Sequence, residues 1–275
     1  MEKQRNVLQV NGLNVAVKSA QGMLPLVQNL QFELKPGKIL GLVGESGSGK
    51  TITSMALLQL LNQKTMNVEG SIQLHGRELN GLKEKEMRGI RGKDIGFIMQ
   101  NPMNAFTPVY TIGNQFVETI RIHTKLSKKQ AIDLAIASLE KMNLQEPSKI
   151  MKMYPFQLSG GMLQRVMIAI SMCLRPSVVI ADEPTTALDV TTQLQVLREL
   201  DRLRTECGTA ILLISHDLGV ISELADEVAV MQKGRIVEKA DVYRLFDHPQ
   251  HDYTKKLLQA RPVLSVNEEL SKLVI

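Results

Sequence analysis

The start of the chain alternates between apolar and polar residues. Short runs such as Leu30-Gln31-Phe32-Glu33-Leu34 extend from Val7 to Leu34 and predict an antiparallel sheet that leads into a turn at Lys35 to Lys38. A continuous apolar run, Ile39 to Val43, then predicts a buried strand, and the apolar spacing from Thr51 to Leu61 predicts a helix. A strand, a glycine-rich loop and a helix are therefore expected in that order.

The later parts of the chain predict helices and two further buried strands. Ser127 to Lys141 has the clearest helical pattern, with Ser127 as its N-cap. Val178 to Ala181 and Ala210 to Ile214 read as buried strands on either side of a helix at Thr191 to Arg204, which is a βαβ order. A last helix is expected around Tyr253 to Ala260, and the final ten residues are expected to be weakly ordered. Together these elements predict one large α/β domain with an appended subdomain.

Composition and charge narrow the class of protein. Hydrophobic residues make up 44% of the 275 residues and charged residues 22%, which is typical of a folded globular chain. The apolar runs, such as Ile211 to Ile214, are far shorter than the roughly 20 residues of a membrane-spanning helix. The start Met1 to Arg5 does not lead into a secretory signal, so the chain is expected to stay in the cytoplasm. The net charge of +5 suits an anionic membrane surface as well as nucleic acid, so the charge does not distinguish between these two partners.

Two isolated cysteines, Cys173 and Cys207, lack metal-ligand spacing and are interpreted as packing residues in a reducing compartment.

A phosphate-binding loop follows the first buried strand. The residues from Gly44 to Thr51 match the pattern G-x-x-x-x-G-K-[ST], in which backbone N–H groups surround phosphates, the lysine reaches the β and γ oxygens and the threonine ligates Mg²⁺. A preceding strand and a following helix supply the context that the pattern requires. The candidate ligands are Gly44, Glu45, Ser46, Gly47, Ser48, Gly49, Lys50 and Thr51.

Acidic and polar residues end three of the other predicted strands. Asp182 and Glu183 end the strand at 178–181, where Asp182 is expected to hold Mg²⁺ through water and Glu183 to act as the general base for the attacking water. The alternative for this pair is a cap on the following helix. His216 is expected at the same sheet edge, near the γ-phosphate, although a single histidine is as often structural. Gln100 ends a further strand-like run, Ile95 to Met99, and could reach the metal or the water, but a lone glutamine would carry no meaning.

A second glycine-rich helix start lies at Ser159-Gly160-Gly161, before a helix predicted from Met162 to Leu174. Because the P-loop of the chain already takes the triphosphate, this start is interpreted as a site for a nucleotide held by another subunit. The alternative is an ordinary serine-capped helix.

This set of motifs resembles the ABC ATPase family. The Walker A, Q-loop, signature, Walker B, D-loop and H-loop of that family have counterparts here, in family order, at Gly44 to Thr51, Gln100, Leu158 to Met162, Val178 to Glu183, Ala187-Leu188-Asp189 and His216. The resemblance implies that Ser159 and Gly161 bind the partner's γ-phosphate, that Asp189 links the two sites, and that Glu183 and His216 are catalytic. ATP and Mg²⁺ are the implied cofactors.

The same resemblance implies the fold and its domains. The expected fold is a P-loop NTPase (RecA-like) core of α/β class, with an antiparallel β subdomain and an α-helical ABC subdomain. The expected boundaries are 1–100 for the β subdomain with the P-loop part of the core, 101–176 for the helical signature subdomain, 177–238 for the rest of the core, and 239–275 for a C-terminal extension.

Two positions depart from the family pattern. Met162 stands where the signature usually has glutamine, but the serine and glycines that would touch phosphate are intact, so activity is expected to survive. Val17 stands where the family commonly has an aromatic residue against the adenine. Weaker or less base-selective nucleotide binding is therefore predicted.

Further stretches look like the importer branch for dipeptides, oligopeptides and nickel, namely Met99 to Pro108, Tyr154 to Arg165, Ala181 to Val190 and the tail His248 to Leu258. The finest likeness is to the first of the two ATPases of nickel importers, which ranks nickel or a metal complex slightly above peptides as the cargo. His248 and His251 are expected to cap or pack a helix, because cargo passes through the membrane subunits.

The branch implies specific partners. They are a second ABC ATPase, with a heterodimer favoured over a homodimer, two membrane permease subunits and a solute-binding protein. The chain itself is expected at the cytoplasmic face of the cell membrane. Nucleic acid is not expected. The competing readings are a soluble ABC ATPase that acts on nucleic acid or the ribosome, and the ATPase of an exporter, which fits the core motifs but not the tail.

Overall fold

The computed structural model describes residues 6–20, 22–185 and 188–259. The strands in these ranges are β1 (Leu8–Ser19), β2 (Gly22–Leu34), β3 (Ile39–Val43), β4 (Met66–Leu74), β5 (Arg77–Glu78), β6 (Ile95–Ile98), β7 (Val178–Asp182), β8 (Ala210–Ile214), β9 (Glu227–Gln232) and β10 (Arg235–Asp241). The helices are α1 (Lys50–Leu57), α2 (Glu84–Ile90), α3 (Ile112–His123), α4 (Lys128–Lys141), α5 (Pro147–Ile150), α6 (Gly160–Met172), α7 (Val190–Cys207), α8 (Leu218–Leu224), α9 (Val242–Asp247) and α10 (Asp252–Gln259). Short 3₁₀ turns lie at Pro102–Ala105 and Pro155–Gln157.

A six-stranded sheet forms the centre of the molecule. Its strand order is β10-β9-β3-β8-β7-β6, with parallel pairing from β9 to β6 and an antiparallel edge strand β10. Every residue of β3, β7 and β8 is buried, as is usual for parallel strands that are covered on both faces. The continuous apolar runs of these strands therefore predict their place at the centre of the sheet.

A four-stranded antiparallel sheet covers one face of the central sheet. Its order is β2-β1-β4-β5, and β1 and β2 form a hairpin whose register runs from Leu8 opposite Leu34 to Ser19 opposite Gly22. The inward side chains of this sheet share one hydrophobic core with Leu40 and Leu42 of β3. Ile39 and Val43, which alternate with those residues, belong to the other core, formed with the helices.

The helices α3 to α6 form a layer in which α6 contacts the edge strand β6, α4 packs on α6, and α3 and α5 pack on α4. Ser127 caps α4 as predicted, because its hydroxyl accepts a hydrogen bond from the Gln130 N–H while the Gln130 side chain accepts one from the Ser127 N–H. None of the described helices has the length and hydropathy that crossing a bilayer requires.

Some helix boundaries differ from the sequence expectations. The first helix, α1, ends at Leu57 rather than Leu61, because Gln59 adopts a left-handed φ of 49° and the Leu60 N–H bonds back to the Met55 carbonyl. Helix α6 begins at Gly160, two residues before the predicted start. Ala260 and the final ten residues, which were expected to end a helix and to be weakly ordered, lie outside the described residues.

Asp226 ties three elements together at the amino ends of the central strands. Its carboxylate accepts hydrogen bonds from Lys38 Nζ at 2.6 Å, from the Ile39 N–H at 2.8 Å and from Arg204 of α7 at 3.0 Å. Burial opposes ionisation, but the hydrogen bonds from Lys38 and Ile39 and the nearby positive charges outweigh it and lower the pKa of Asp226. The ionised carboxylate therefore stabilises the fold.

We expect Asp226→Asn to lower the free energy of unfolding at pH 7 by about 1.5–3 kcal/mol, the usual loss for a hydrogen bond to a charged group. Because the folded-state pKa lies below the ordinary value of 3.8, the wild-type advantage is present above that value and shrinks as the pH falls through the folded pKa. Urea unfolding at several pH values measures it. The exposed Asp133 of α4 supplies the control Asp133→Asn, and equal losses in both variants would contradict the assignment.

Candidate functional site

The loop from Gly44 to Thr51 joins β3 to α1 and is built around glycines. Gly44, Gly47 and Gly49 have φ of 155°, 79° and 109°, a range that other residues rarely adopt. A Cβ on Gly44 would lie 2.2 Å from the Met231 carbonyl oxygen, and one on Gly49 would lie 3.0 Å from the Leu26 carbonyl oxygen. The neighbouring strands therefore require glycine at both places. The N-terminus of α1 opens onto the loop, as in phosphate-binding sites.

Lys50 lies inside this loop. Its ammonium group donates to the Gly44 carbonyl at 2.7 Å and to the Glu45 carbonyl at 3.0 Å, and the residue is only 7% exposed. Burial lowers the pKa of Lys50, while the negative charges of Glu183 and Asp182 act in the opposite direction. An arriving phosphate would offer this cation a charged partner in place of two neutral carbonyls.

Asp182, at the end of β7, faces the same loop. It is 4% exposed, its Oδ2 lies 3.2 Å from Ser54 Oγ, and Thr51 also hydrogen-bonds to it. Burial is the main cause that raises the pKa of Asp182, and the negative charge of Glu183 adds to it. A buried carboxylate beside a threonine hydroxyl is a suitable oxygen donor set for Mg²⁺. The sequence analysis did not predict the contact with Ser54, although Ser54 lies one helical turn after Thr51.

Glu183 lies beside two residues from other strand ends. Gln100 Nε2 donates to Glu183 Oε2 at 2.7 Å, and His216 Nδ1 lies 3.1 Å from Glu183 Oε1. The Glu183 backbone has a left-handed φ of 48°, held by a hydrogen bond from its N–H to the Ile214 carbonyl of β8. Such strained positions are common in functional sites. The structure thus brings Gln100, Glu183 and His216 together, as the order of strands suggested.

These residues line one cleft of about 670 Å³. The lining residues are Leu26, Ser46, Gly47, Gly49, Lys50, Thr51, Ile52, Gln100, Glu183 and His216. Leu26 was missed by the sequence analysis, because its approach depends on how β2 folds over the loop. Val17 is half-buried in β1, where it pairs with Leu24, and is not among the described residues that line this cleft.

The second glycine-rich helix start lies elsewhere on the surface. Ser159 and Gly160 are exposed, and a Cβ on Gly160 would meet nothing within 4 Å. The Ser159 hydroxyl accepts a hydrogen bond from the Met162 N–H at 3.3 Å, so it does cap α6. The described residues that line the P-loop cleft include none of Ser159, Gly160 and Gly161. A phosphate at this helix start would therefore lie outside the P-loop cleft.

Asp189 lies beside that helix start. It caps α7, and its carboxylate accepts from the Thr192 N–H at 3.0 Å and from the Thr192 hydroxyl at 2.7 Å. The hydrogen bond from the Thr192 side chain is the main cause that lowers the pKa of Asp189. Leu188 lies 3.6 Å from a Cβ built on Gly161, so the two segments are neighbours. Ala187, which the sequence analysis placed in the same motif, lies outside the described residues.

Gln164 connects, inside the molecule, the helix that follows Ser159 to the segment that follows Glu183. Its side chain is 2% exposed on α6 and donates to the Pro184 carbonyl at 2.8 Å, next to Glu183. The sequence analysis assigned it no role. A polar residue on the apolar side of a helix is the signal that would have pointed to it, because buried polar groups need partners.

Cys173 and the tail residue His251 make local contacts. Burial raises the pKa of Cys173 to about 12, and its thiol donates to the Ile170 carbonyl. His251 Nδ1 accepts a hydrogen bond from the Tyr253 N–H at the start of α10. In the described ranges, no group of three or more His, Cys, Asp or Glu side chains is arranged to hold a metal ion.

Sequence comparisons find a family and its relatives. A family model described as ABC transporter matches residues 27–186. The glutathione import ATP-binding protein GsiA of Escherichia coli is 44% identical over 271 residues, which cover 96% of this chain and 44% of that protein. The protein of the same name from Salmonella choleraesuis is 44% identical over 266 residues, with 94% and 43% covered. The chain thus spans less than half the length of these curated relatives.

Structural comparisons agree on the fold. The dimeric ATP-binding cassette MJ0796, solved in a post-hydrolysis state with ADP and Pi, matches with a TM-score of 0.77 at 24% identity, over 86% of this chain and 98% of that one. The cbiO1 subunit of an ABC transporter complex from Clostridium perfringens matches with a TM-score of 0.72 at 22% identity, over 88% and 91%. At these identities the likeness shows the fold alone, and it confirms the predicted α/β class.

We expect Val17→Tyr to strengthen ATP binding about fivefold or more, because base–aromatic stacking contributes about 1–3 kcal/mol in nucleic-acid binders. The wild-type chain is expected to discriminate ATP from GTP weakly. Equilibrium titration with fluorescent analogues of both nucleotides measures this. Val109→Tyr, at a site 71% exposed, is the control for a tyrosine placed elsewhere. Unchanged affinity in Val17→Tyr would show that the adenine lies against another residue, with Leu26 the first to test.

Proposed function

The chain belongs to the ABC transporter family, and on that premise we propose that it hydrolyses ATP to drive an importer whose membrane-spanning parts are separate subunits. The observation that carries the proposal is the convergence of Gln100, Glu183 and His216 beside the P-loop lysine. Phosphoryl transfer requires mainly positioning and charge stabilisation, and this cleft offers both.

The chemistry follows from the contacts in the cleft. The phosphates of ATP enter the loop, and Lys50 exchanges the Gly44 and Glu45 carbonyls for phosphate oxygens. Thr51 and Asp182, with Gln100, would hold Mg²⁺, which neutralises charge on the phosphates when it is bound.

Glu183 is the proposed general base. Its Oε2 accepts a hydrogen bond from Gln100 and its Oε1 lies 3.1 Å from His216 Nδ1, so both neighbours limit its orientation. A fixed carboxylate at this position takes the proton of a water that attacks the γ-phosphate. In this assignment His216 and Gln100 position Glu183 and meet the γ-phosphate and the metal.

A second ATPase subunit completes each site in this proposal. Ser159, Gly160 and Gly161 lie at an exposed helix start, away from the P-loop cleft of their own chain. This start offers N–H groups to the γ-phosphate of a partner's ATP, and Asp189 beside it reaches across the dimer. We favour a heterodimer with a sister ATPase, and a homodimer uses the same geometry.

The membrane permease is proposed to dock on the helical layer. An apolar cleft of about 700 Å³ lies among α3, α4 and α5, lined by Gly113, Asn114, Val117, Glu118, Arg121, Ile122, Lys128, Ile132, Ile136, Ser148, Met151 and Lys152. Ile122 at its edge is 60% exposed, which favours a protein partner. The segment after Gln100 leads directly into this layer, so movement at the nucleotide reaches the docking cleft.

A small peptide is the proposed cargo. The relatives at 44% identity are glutathione import proteins, and glutathione is a peptide-type solute. This observation moves peptides above nickel or a metal complex, which the sequence alone ranked slightly higher. The permease subunits are proposed to hold the chain at the cytoplasmic face of the membrane, and the full importer is proposed to include a solute-binding protein.

Glu183→Gln is expected to slow ATP hydrolysis by about 100-fold or more, the usual contribution of a general base, while ATP still binds. Phosphate release and nucleotide affinity are measured on the same preparation. Glu223→Gln removes an exposed carboxylate on α8 and serves as the control. Sustained hydrolysis by Glu183→Gln would remove Glu183 as the base.

Ile122→Glu is expected to reduce recovery of the permease by about tenfold, because a charge at the edge of the apolar cleft opposes docking, whereas ATPase activity of the purified chain stays unchanged. Tagged chain is extracted from native membranes with ATP, and co-purifying proteins are identified by mass spectrometry. Tyr243→Glu, on an exposed side chain of α9, is the matched control.

The same extraction, carried out with the Glu183→Gln variant, tests the wider proposal. Two permeases, a second ATPase and a solute-binding protein are the expected companions, and the ligand of that last protein identifies a peptide or a metal complex. Recovery of ribosomal or DNA-bound partners would overturn the transport function.

A further inference from the structure

The P-loop has a hydrogen-bond partner in the C-terminal helix. The Glu45 N–H, at the second position of the loop, donates to the Tyr253 hydroxyl of α10 at 3.0 Å. These residues are 208 positions apart in the sequence. The proposed hydrolysis assigns no role to this contact.

Tyr253 is held firmly in its place. It is 7% exposed and belongs to the same core as Val242 and Leu245 of α9. Burial raises the pKa of Tyr253, so the hydroxyl stays neutral at physiological pH, and its oxygen accepts the Glu45 N–H as a neutral group.

The start of α10 is fixed by hydrogen bonds from two sides. The Glu238 carboxylate of β10 accepts from the Gln250 N–H at 2.8 Å and from the His251 N–H at 2.9 Å. His251 Nδ1 in turn accepts from the Tyr253 N–H at 3.1 Å. The hydroxyl that meets the loop is therefore carried by a segment that is itself anchored to the central sheet.

Glu45 is held from both ends of the residue. Its carbonyl accepts from the Ser48 N–H at 3.1 Å and from Lys50 Nζ at 3.0 Å, while its N–H goes to Tyr253. A phosphate in the loop draws the Lys50 ammonium toward itself and weakens the carbonyl contact. The Glu45 N–H, which the sequence analysis offered to phosphate with the rest of the loop, is engaged by Tyr253 instead.

We propose that Tyr253 is a positioning residue for the P-loop, through which the C-terminal helix holds Glu45 and thereby sets nucleotide affinity. The inference rests on the proposed function in that the loop receives ATP. A residue of this kind improves the fit of the loop to the phosphates before the chemical step, so its loss changes the binding of nucleotide rather than its turnover.

Tyr253→Phe is the test, because it keeps the buried ring and removes only the accepting oxygen. The KM for ATP is expected to rise about fivefold, the loss expected for one neutral hydrogen bond, with kcat unchanged. Tyr243→Phe alters a tyrosine that is 75% exposed on the neighbouring helix and is expected to change neither constant. Melting temperatures of both variants show whether the fold is intact.

Hydrogen exchange of the nucleotide-free chain supplies a readout that does not depend on ATP. The Glu45 amide is expected to exchange faster in Tyr253→Phe than in the wild type and in Tyr243→Phe. If the wild type fails to bind ATP, the proposed function falls, but the exchange rates still decide whether Tyr253 holds the loop. Unchanged exchange together with an unchanged KM would overturn the inference. A fivefold fall in kcat at constant KM would also overturn it.

Discussion

Parallel pairing of β3, β7 and β8 is the constraint on which the site depends. Because parallel strands end at the same edge of a sheet, the loop after β3, Glu183 after β7 and His216 after β8 are delivered to one place. The pairing Asp182 to Ile214 fixes the register, and the backbone bond from Glu183 to Ile214 extends it by one residue. The cleft is therefore a consequence of strand order before any side chain is considered.

One positive and two negative side chains lie close together at this edge of the sheet. Two carboxylates, on Asp182 and Glu183, lie close enough to Lys50 to oppose the effect of burial, which still lowers its pKa. Burial raises the pKa of Asp182, whereas Lys50 and two hydroxyl groups act against that rise. Such a set is poorly neutralised by itself and suits a ligand that brings both phosphates and a metal. The groups proposed to bind the ligand are thus charges whose ionisation is opposed by burial in the empty cleft.

Local patterns were predictable from the sequence, and contacts between distant segments were not. The P-loop, the buried strands and the Ser127 cap depend on neighbouring residues, whose spacing is visible in the chain. Leu26 and Tyr253 contact the site through the folding of other elements, so residue type and spacing alone did not reveal them, whereas Gln164 left a signal as a polar residue on the apolar side of a helix. The end of α1 was misplaced because a polar residue, Gln59, adopts a left-handed conformation more typical of glycine.

The tie at Asp226 lies at the amino ends of β3 and β9, across the full length of the strands from the cleft at their carboxyl ends. Lys38 and Arg204, its partners, line no part of that cleft among the described residues. The contacts that stabilise the fold at Asp226 and the proposed nucleotide site thus lie at opposite ends of the same strands. Substitutions near Asp226 can therefore change the stability of the protein without changing its activity, and the two properties can evolve separately.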